Sequence, residues 1–204
     1  MKKSQPAPKY YNKINQFIAE KNDEELFWSL KCLAQNEKSV SNYVGHALRL
    51  KDSAILVKFL EHGVVKDIQS LMEYSANAGL LSVVQECIKK GAEPLQKSSL
   101  ALRWASTYGH LDVVEFLLPQ SNPNVFNGNP LLVSLSHGHP DVFDILYPQT
   151  DVEEMKKGIK GNEGLTERFA LYERRAKAKL DHNLLTDACI ENSKNYAPKK
   201  SLKM

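Results

Sequence analysis

Residues Leu102–Leu118, with the sequence LRWASTYGHLDVVEFLL, decide the fold of this chain. The segment reads as a short apolar helix, a turn at Gly109, and a second helix with apolar pairs at Val113-Val114 and Leu117-Leu118. Apolar pairs that recur every four residues form a stripe along one helix face. Gly109 suits the left-handed backbone conformation that ends a helix, and the Asp112 carboxylate favours the positive end of the second helix. The segment therefore predicts a pair of short helices.

The same pattern recurs along the chain. The other segments are VGHALRLKDSAILVKFLEHG (Val44–Gly63), MEYSANAGLLSVVQECIKKG (Met72–Gly91) and LLVSLSHGHPDVFDIL (Leu131–Leu146). Their turn positions, with Gly109 included, are Lys51, Gly79, Gly109 and Gly138, spaced 28, 30 and 29 residues apart. One helix pair cannot bury its own apolar stripe, but stacked neighbouring pairs bury a continuous core. The repeat predicts an all-α helical solenoid.

The segment at 102–118 resembles the LHxAAxxGHxxVVxxLL core of the ankyrin repeat. Residues 131–146 share the Gly138-His139 step, and Gly91-Ala92 resembles the family's GAD loop. The resemblance covers about residues 40–150, extends to Ile14–Leu33, and implies four to five repeats. The period is shorter than the family's usual 33, so we expect shortened β-hairpin fingers. On this basis residues 1–150 form the repeat domain, with a first repeat at about 10–36 and better-defined repeats at about 40–150.

Residues 151–204 fall outside the repeat pattern. Glycines at 158, 161 and 164 predict a loop, after which apolar residues recur at helical spacing from Leu165 to Leu180. We expect Asp181 to cap a second short helix over 183–192. These helices form a C-terminal cap on the last repeat or, alternatively, a partner-binding helix. The whole net charge of +3 lies in this part, which ends in a basic tail at Lys194–Met204. That tail reads as a solvated terminus without a nucleic-acid signature.

Composition narrows the class of protein. Hydrophobic residues make up 42% and charged residues 25%, which is typical of a globular protein. No apolar run is long enough to span a bilayer, and Met1–Tyr10 lacks the apolar stretch of a signal peptide. Three scattered cysteines argue against a disulfide framework and a cysteine zinc site. We expect a monomer in the cytoplasm, or in a host-cell cytoplasm if it is a secreted effector.

Motifs of enzymes are absent from the sequence. It contains no GxGxxG, GxxxxGK[ST], HExxH, GxSxG or HRD pattern. His137, His139 and Asp141 form the densest ligand-like group, but His139 and His110 occupy the family's structural Gly-His position. Cys32 and Cys87 lie among apolar residues on second helices, where buried inert thiols are the usual case. We therefore expect no enzyme, no cofactor and no metal.

What remains for function is the surface of the first helices, which line the concave face in the ankyrin arrangement. Stacking predicts a row at His46, Tyr74, Trp104 and Val133, followed by Arg49, Asn77, Thr107 and Ser136, and then Leu50, Ala78, Tyr108 and His137. Aromatic and arginine side chains dominate protein-binding hot spots. Trp104 and Tyr108 lead the candidates, although Trp104 could instead pack between adjacent helices. The loop Pro119–Pro130 adds Phe126, beside a tight turn predicted at Asn127-Gly128.

The prediction is thus a non-catalytic module that binds a protein through its concave face and hairpin loops. The candidate partner-binding residues are His46, Arg49, Tyr74, Asn77, Trp104, Thr107, Tyr108, His137 and Phe126. A small inhibitory or regulatory protein acting on an enzyme would use the same surface, and so would a pathogen effector directed at host proteins. An unrecognised enzyme would need a pocket near His137, His139 and Asp141.

Overall fold

A computed structural model describes residues 11–35 and 37–195, which form helices joined by short turns and contain no strand. The α-helices are α1 (Tyr11–Ala19), α2 (Asp23–Ala34), α3 (Glu37–Leu50), α4 (Ser53–Glu61), α5 (Ile68–Ala78), α6 (Leu81–Lys89), α7 (Gln96–Tyr108), α8 (Leu111–Leu117), α9 (Val125–His137), α10 (Pro140–Leu146), α11 (Val152–Ile159) and α12 (Glu163–Asn195). Short 3₁₀ turns follow α8 at Leu118–Gln120 and α10 at Tyr147–Gln149. Among the described residues, no helix combines the length and the apolar character needed to cross a bilayer.

The helices pair and stack as the repeat predicted. Each first helix packs on the next first helix, in the order α3, α5, α7, α9, and each second helix packs on the next, in the order α4, α6, α8, α10. The predicted apolar pairs are at most 1% exposed: Ile55-Leu56, Val83-Val84, Val113-Val114 and Val142-Phe143. The core therefore runs between the two layers along the length of the array, which confirms the all-α helical repeat fold.

Every predicted turn position adopts the left-handed conformation. The φ angles are +55° at Lys51, +76° at Gly79, +73° at Gly109 and +80° at Gly138. Lys21, between α1 and α2, has φ +52° and lies 30 residues before Lys51, so the first helix pair keeps the period. Its packing differs from that of the other pairs, because α1 lies against α4 and α2 against α3.

The expected β-hairpin fingers are absent from the described residues. In their place, three consecutive residues adopt left-handed φ angles at the start of α7 (Lys97–Ser99) and of α9 (Phe126–Gly128). A tight turn is present at Asn127-Gly128 as predicted, but no strands flank it and it forms no hairpin. Both residues have positive φ, as such a turn requires, but they belong to a left-handed turn that leads into a right-handed helix.

The C-terminal part differs from its prediction in two details. Glycine 158 lies within α11, which packs on α9, and only the short turn around Gly161 (φ +88°) separates α11 from α12. The predicted break and cap at Asp181 are absent, because α12 continues as one helix to Asn195. The first half of α12 packs on α9 and α10 through the buried Phe169 and Ala176. Residues 152–159 and 163–195 are helical, while residues 196–204 of the predicted basic tail and residues 1–10 lie outside the described part.

Candidate functional site

Exposed large apolar side chains are distributed unevenly over the repeats. Within residues 37–146 they all lie on first helices or on the turns that lead into them: Leu50, Tyr74, Leu95, Tyr108 and Phe126. Helices α4, α6, α8 and α10 expose none. We call the surface of α3, α5, α7 and α9, with the turns leading into them, the first-helix side. Apolar area exposed on one side of a protein marks a binding surface more often than scattered residues do.

Two aromatic rings pack together at the centre of this side. The rings of Tyr74 on α5 and Trp104 on α7 lie 5.6 Å apart, centroid to centroid. Tyr74 is 53% exposed, whereas Trp104 is half-buried. Trp104 therefore packs between neighbouring first helices and still shows part of its ring to solvent. One turn further along α7, Tyr108 is 55% exposed and stacks near His110 at 6.4 Å.

A shallow depression lies beside these rings, where α3, α5 and α7 end. Its volume is about 460 Å³, and its lining residues are Leu48, Arg49, Lys51, Tyr74, Asn77, Ala78, Tyr108 and His110. Four of the predicted partner-binding residues line it: Arg49, Tyr74, Asn77 and Tyr108. The structure thus brings residues from three consecutive repeats into one concave patch.

Hydrogen bonds between repeats position this patch. The Nε2 of His110 donates to the carbonyl oxygen of Asn77 at 2.9 Å, and the Nε2 of His139 donates to that of Thr107 at 2.9 Å. A carbonyl oxygen only accepts, so each Nε2 carries a proton. The Thr107 hydroxyl donates to the Arg103 carbonyl at 2.8 Å. The backbone carbonyls of Asn77 and Thr107 are therefore fixed by histidines of the next repeat, and the two residues are half-exposed.

His46 does not belong to the exposed row, and its prediction was wrong in this respect. It is only 8% exposed, because the ring of Tyr11 on α1 packs edge-on against it at 4.5 Å. Its Nδ1 lies 3.4 Å from Nη2 of Arg49, which can donate to it, so His46 supports an exposed neighbour. The row begins at Tyr74 because the first helix pair covers the equivalent position on α3.

Phe126 lies at the edge of the first-helix side and is 64% exposed. The guanidinium of Arg103 lies 4.8 Å from the centre of its ring, within the range of a cation–π interaction. The equivalent contact one repeat earlier is an ion pair of 2.7 Å between Lys97 and the buried Glu73. This hydrogen bond to Glu73 raises the pKa of Lys97. The same two positions thus join neighbouring repeats by different chemistry.

The ligand-like group at the end of α9 does not converge. His137 is exposed and its Nδ1 donates to the carbonyl of Val133 at 2.9 Å, whereas the His139 ring faces Thr107. The Asp141 carboxylate pairs with Arg175 and with Lys179. Within residues 11–35 and 37–195, no group of three or more His, Cys, Asp or Glu side chains is placed to hold a metal ion.

The two described cysteines differ in environment. Cys87 is fully buried, and burial raises the pKa of its thiol to about 12, with a smaller contribution from Glu86. Cys32 is exposed, so the expectation of a buried thiol was wrong there. It lies on α2, at the end of the array where no further repeat stacks within the described residues, and it lines a cavity with Trp28 and Lys13.

Sequence reasoning missed two contributors to the first-helix side. Leu95 precedes α7 and is 61% exposed, and its signal was an apolar residue directly after Pro94 in a turn. Lys51 lines the depression, and its signal was a charged residue at a turn position that is glycine in the three following repeats.

Part of the region that forms this surface matches a known protein family. Residues 71–156 match the family model for ankyrin repeats, in three copies. No curated protein and no solved structure matches the chain.

Proposed function

We propose that the chain binds a protein partner through its first-helix side, because residues 71–156 match the ankyrin repeat model and such repeats are generally protein-interaction modules. The role is non-catalytic. The observation that carries this proposal is the confinement of exposed large apolar side chains in residues 37–146 to that side.

Three aromatic side chains make this surface suited to binding: Tyr74, Trp104 and Tyr108. Tyr and Trp bury large areas and have few rotatable bonds, so ordering them in a complex costs little conformational entropy. The contact between Tyr74 and Trp104 at 5.6 Å holds both rings before a partner arrives. Such preorganised aromatic surface favours affinity because less freedom is lost on binding.

The proposal is tested by affinity capture from cell lysates with identification of the retained proteins. We compare the wild-type chain with a Tyr74→Ser/Tyr108→Ser variant, whose two side chains are more than half exposed and can change without loss of core packing. The matched control is Phe27→Ser/Trp28→Ser, which removes two exposed aromatic side chains from α2. Circular dichroism and thermal melting confirm that all three proteins fold.

We expect a partner that the wild type and the α2 variant retain and that the Tyr74/Tyr108 variant loses. Loss of that partner from the α2 variant alone would move the binding surface to the N-terminal helix pair. Equal retention by all three proteins contradicts binding through the first-helix side.

A further inference from the structure

The depression at the ends of α3, α5 and α7 has a one-sided charge. Its charged lining residues are Arg49 and Lys51, and no carboxylate is among the residues that line it. Both cations are exposed. Tyr74 and Tyr108 form its apolar part, so cationic and aromatic surfaces meet in one concave patch.

The helix ends that border the depression do not cancel this charge. Carbonyl groups at the ends of helices carry partial negative charge. Here several of them already accept hydrogen bonds: Leu48 from Lys51 N at 3.2 Å, Ala76 from Gly79 N at 3.3 Å, and Asn77 from the His110 ring at 2.9 Å. These carbonyl groups therefore do not offset the two full positive charges of the lining.

Lys51 holds a position that favours glycine. Its φ is +55°, a conformation that costs a residue with a Cβ free energy, and the next three repeats place glycine at this turn. Lys21 is the equivalent residue of the preceding helix pair, with φ +52°, and it does not line the depression. The two lysines share backbone geometry and differ in whether they face this patch.

We propose that the depression binds an acidic linear segment of the protein partner, with a carboxylate at Arg49 and Lys51 and an apolar side chain against Tyr74 and Tyr108. The inference rests on the proposed function and adds the chemistry of the partner to it. Two cations beside two aromatic rings complement a segment with one or two acids next to an apolar residue. A polyanion such as a nucleic acid is a poorer match, because residues 1–150 carry no net charge.

The test uses a display library of random twelve-residue peptides, selected on the immobilised full chain. We expect the retained peptides to be enriched in Asp or Glu within three positions of an aromatic or aliphatic residue. The consensus peptide is then synthesised with a fluorescent label, and its affinity is measured by anisotropy at low and high salt. The Tyr74→Ser/Tyr108→Ser variant should lose the peptide.

Two lysine-to-glycine variants separate the effect of the charge from the effect of the backbone conformation. Lys51→Gly removes the cation and places the favoured residue at the turn, so the melting temperature should hold or rise. We expect Lys51→Gly to lower the affinity for the acidic peptide by about three- to tenfold, as the loss of one partly exposed charge pair does. Arg49→Gln should lower the affinity by a similar factor. Lys21→Gly makes the same backbone change outside the depression and should leave the affinity unchanged.

Several outcomes overturn the inference, and they separate it from the proposed function. Selected peptides without acids that still require Tyr74 and Tyr108 would contradict the acidic segment and leave the binding surface intact. An equal loss in Lys21→Gly and Lys51→Gly would assign the effect to the backbone. Displacement of the peptide by single-stranded DNA at equal charge concentration would show recognition of charge alone. A selection that returns no peptide contradicts a linear segment, while affinity capture still tests the proposed function.

Discussion

At Gly109 two requirements fall on one residue. Its φ of +73° lies in the left-handed region, and the His139 ring of the next repeat packs directly against its Cα. A Cβ built at this position would clash with Nδ1 of the His139 ring. The same arrangement joins Gly79 to His110, where the nearest ring atom would be 2.6 Å away. The Gly-His step is thus an inter-repeat contact, because the glycine makes room for the histidine that reaches back to it.

We predict that Gly109→Ala destabilises the protein more than Gly138→Ala. Both positions have positive φ, but a Cβ at Gly138 meets nothing within 4 Å. Gly138→Ala should cost about 1 kcal/mol from backbone conformation, and Gly109→Ala about 1–3 kcal/mol more from the clash with the ring. Urea denaturation measures both. In the double variant Gly109→Ala/His139→Ala the clash is absent, so its extra cost should not add to that of His139→Ala; full additivity would contradict this account.

Among the elements, α12 is the long helix that follows the repeats. Its first half packs on the last repeat, where Phe169 lies edge-on against Phe143 at 5.9 Å. The side chain of Asp144, 6% exposed, also forms ion pairs with Arg175 at 3.0 Å and Lys179 at 2.6 Å. From Asp181 to Leu184 its side chains are exposed. The first half therefore covers the core of the last repeat, as a terminal cap must in a stacked array.

We predict that Phe169→Ala destabilises the protein by about 3 kcal/mol, since it removes a buried ring from the contact between cap and array. Leu171, two residues along α12, is 64% exposed and serves as the matched control. Leu171→Ala should change the free energy of unfolding by about 0.5 kcal/mol or less. Chemical denaturation of both variants measures the difference. Similar losses in the two would show that α12 does not cap the core through Phe169.

The molecule as a whole is a linear stack, so a residue's protection depends on its place in the array. Cys87 lies on α6 with helix pairs on either side, and it is fully buried. Cys32 lies on α2 in the first pair and is exposed. In a stack where each pair contacts only its neighbours, an end pair has half the contacts of a central one and opens more readily.

We predict that native protein at pH 8 is alkylated by iodoacetamide at Cys32 and not at Cys87. With the pKa of the Cys87 thiol raised to about 12, only about one molecule in 10⁴ holds its thiolate at this pH, and burial also blocks the reagent. Peptide mass mapping of a Cys189→Ser variant should show labelling at Cys87 about a hundredfold slower or more. Unfolding in urea should make the two rates similar; rapid native labelling of Cys87 would contradict a closed central core.

Whether a prediction was correct depended on how far apart in sequence the interacting residues lie. Features that depend on neighbours within one repeat were predicted correctly from the repeat period. They are the turn positions, the apolar pairs and, through their repetition, the solenoid. His46 was predicted exposed because its own repeat contains no residue that covers it. The residue that does cover it is Tyr11, which lies 35 positions earlier on another helix. Cys32 was predicted buried because its local pattern resembles that of Cys87, although its position at the end of the stack leaves it exposed.

The amino-acid sequence by itself determined the repeat, its left-handed turns and the aromatic residues of the first helices, because these follow from φ preferences and from a period of about 29 residues. Only the tertiary structure decided which of those side chains remain exposed and which gather in one depression. Three left-handed residues at the start of α7 and α9 took the place of the expected hairpins. Exposure and proximity depend on how consecutive repeats stack, and apart from the Gly-His step the contacts between residues some 30 positions apart leave no mark in local sequence.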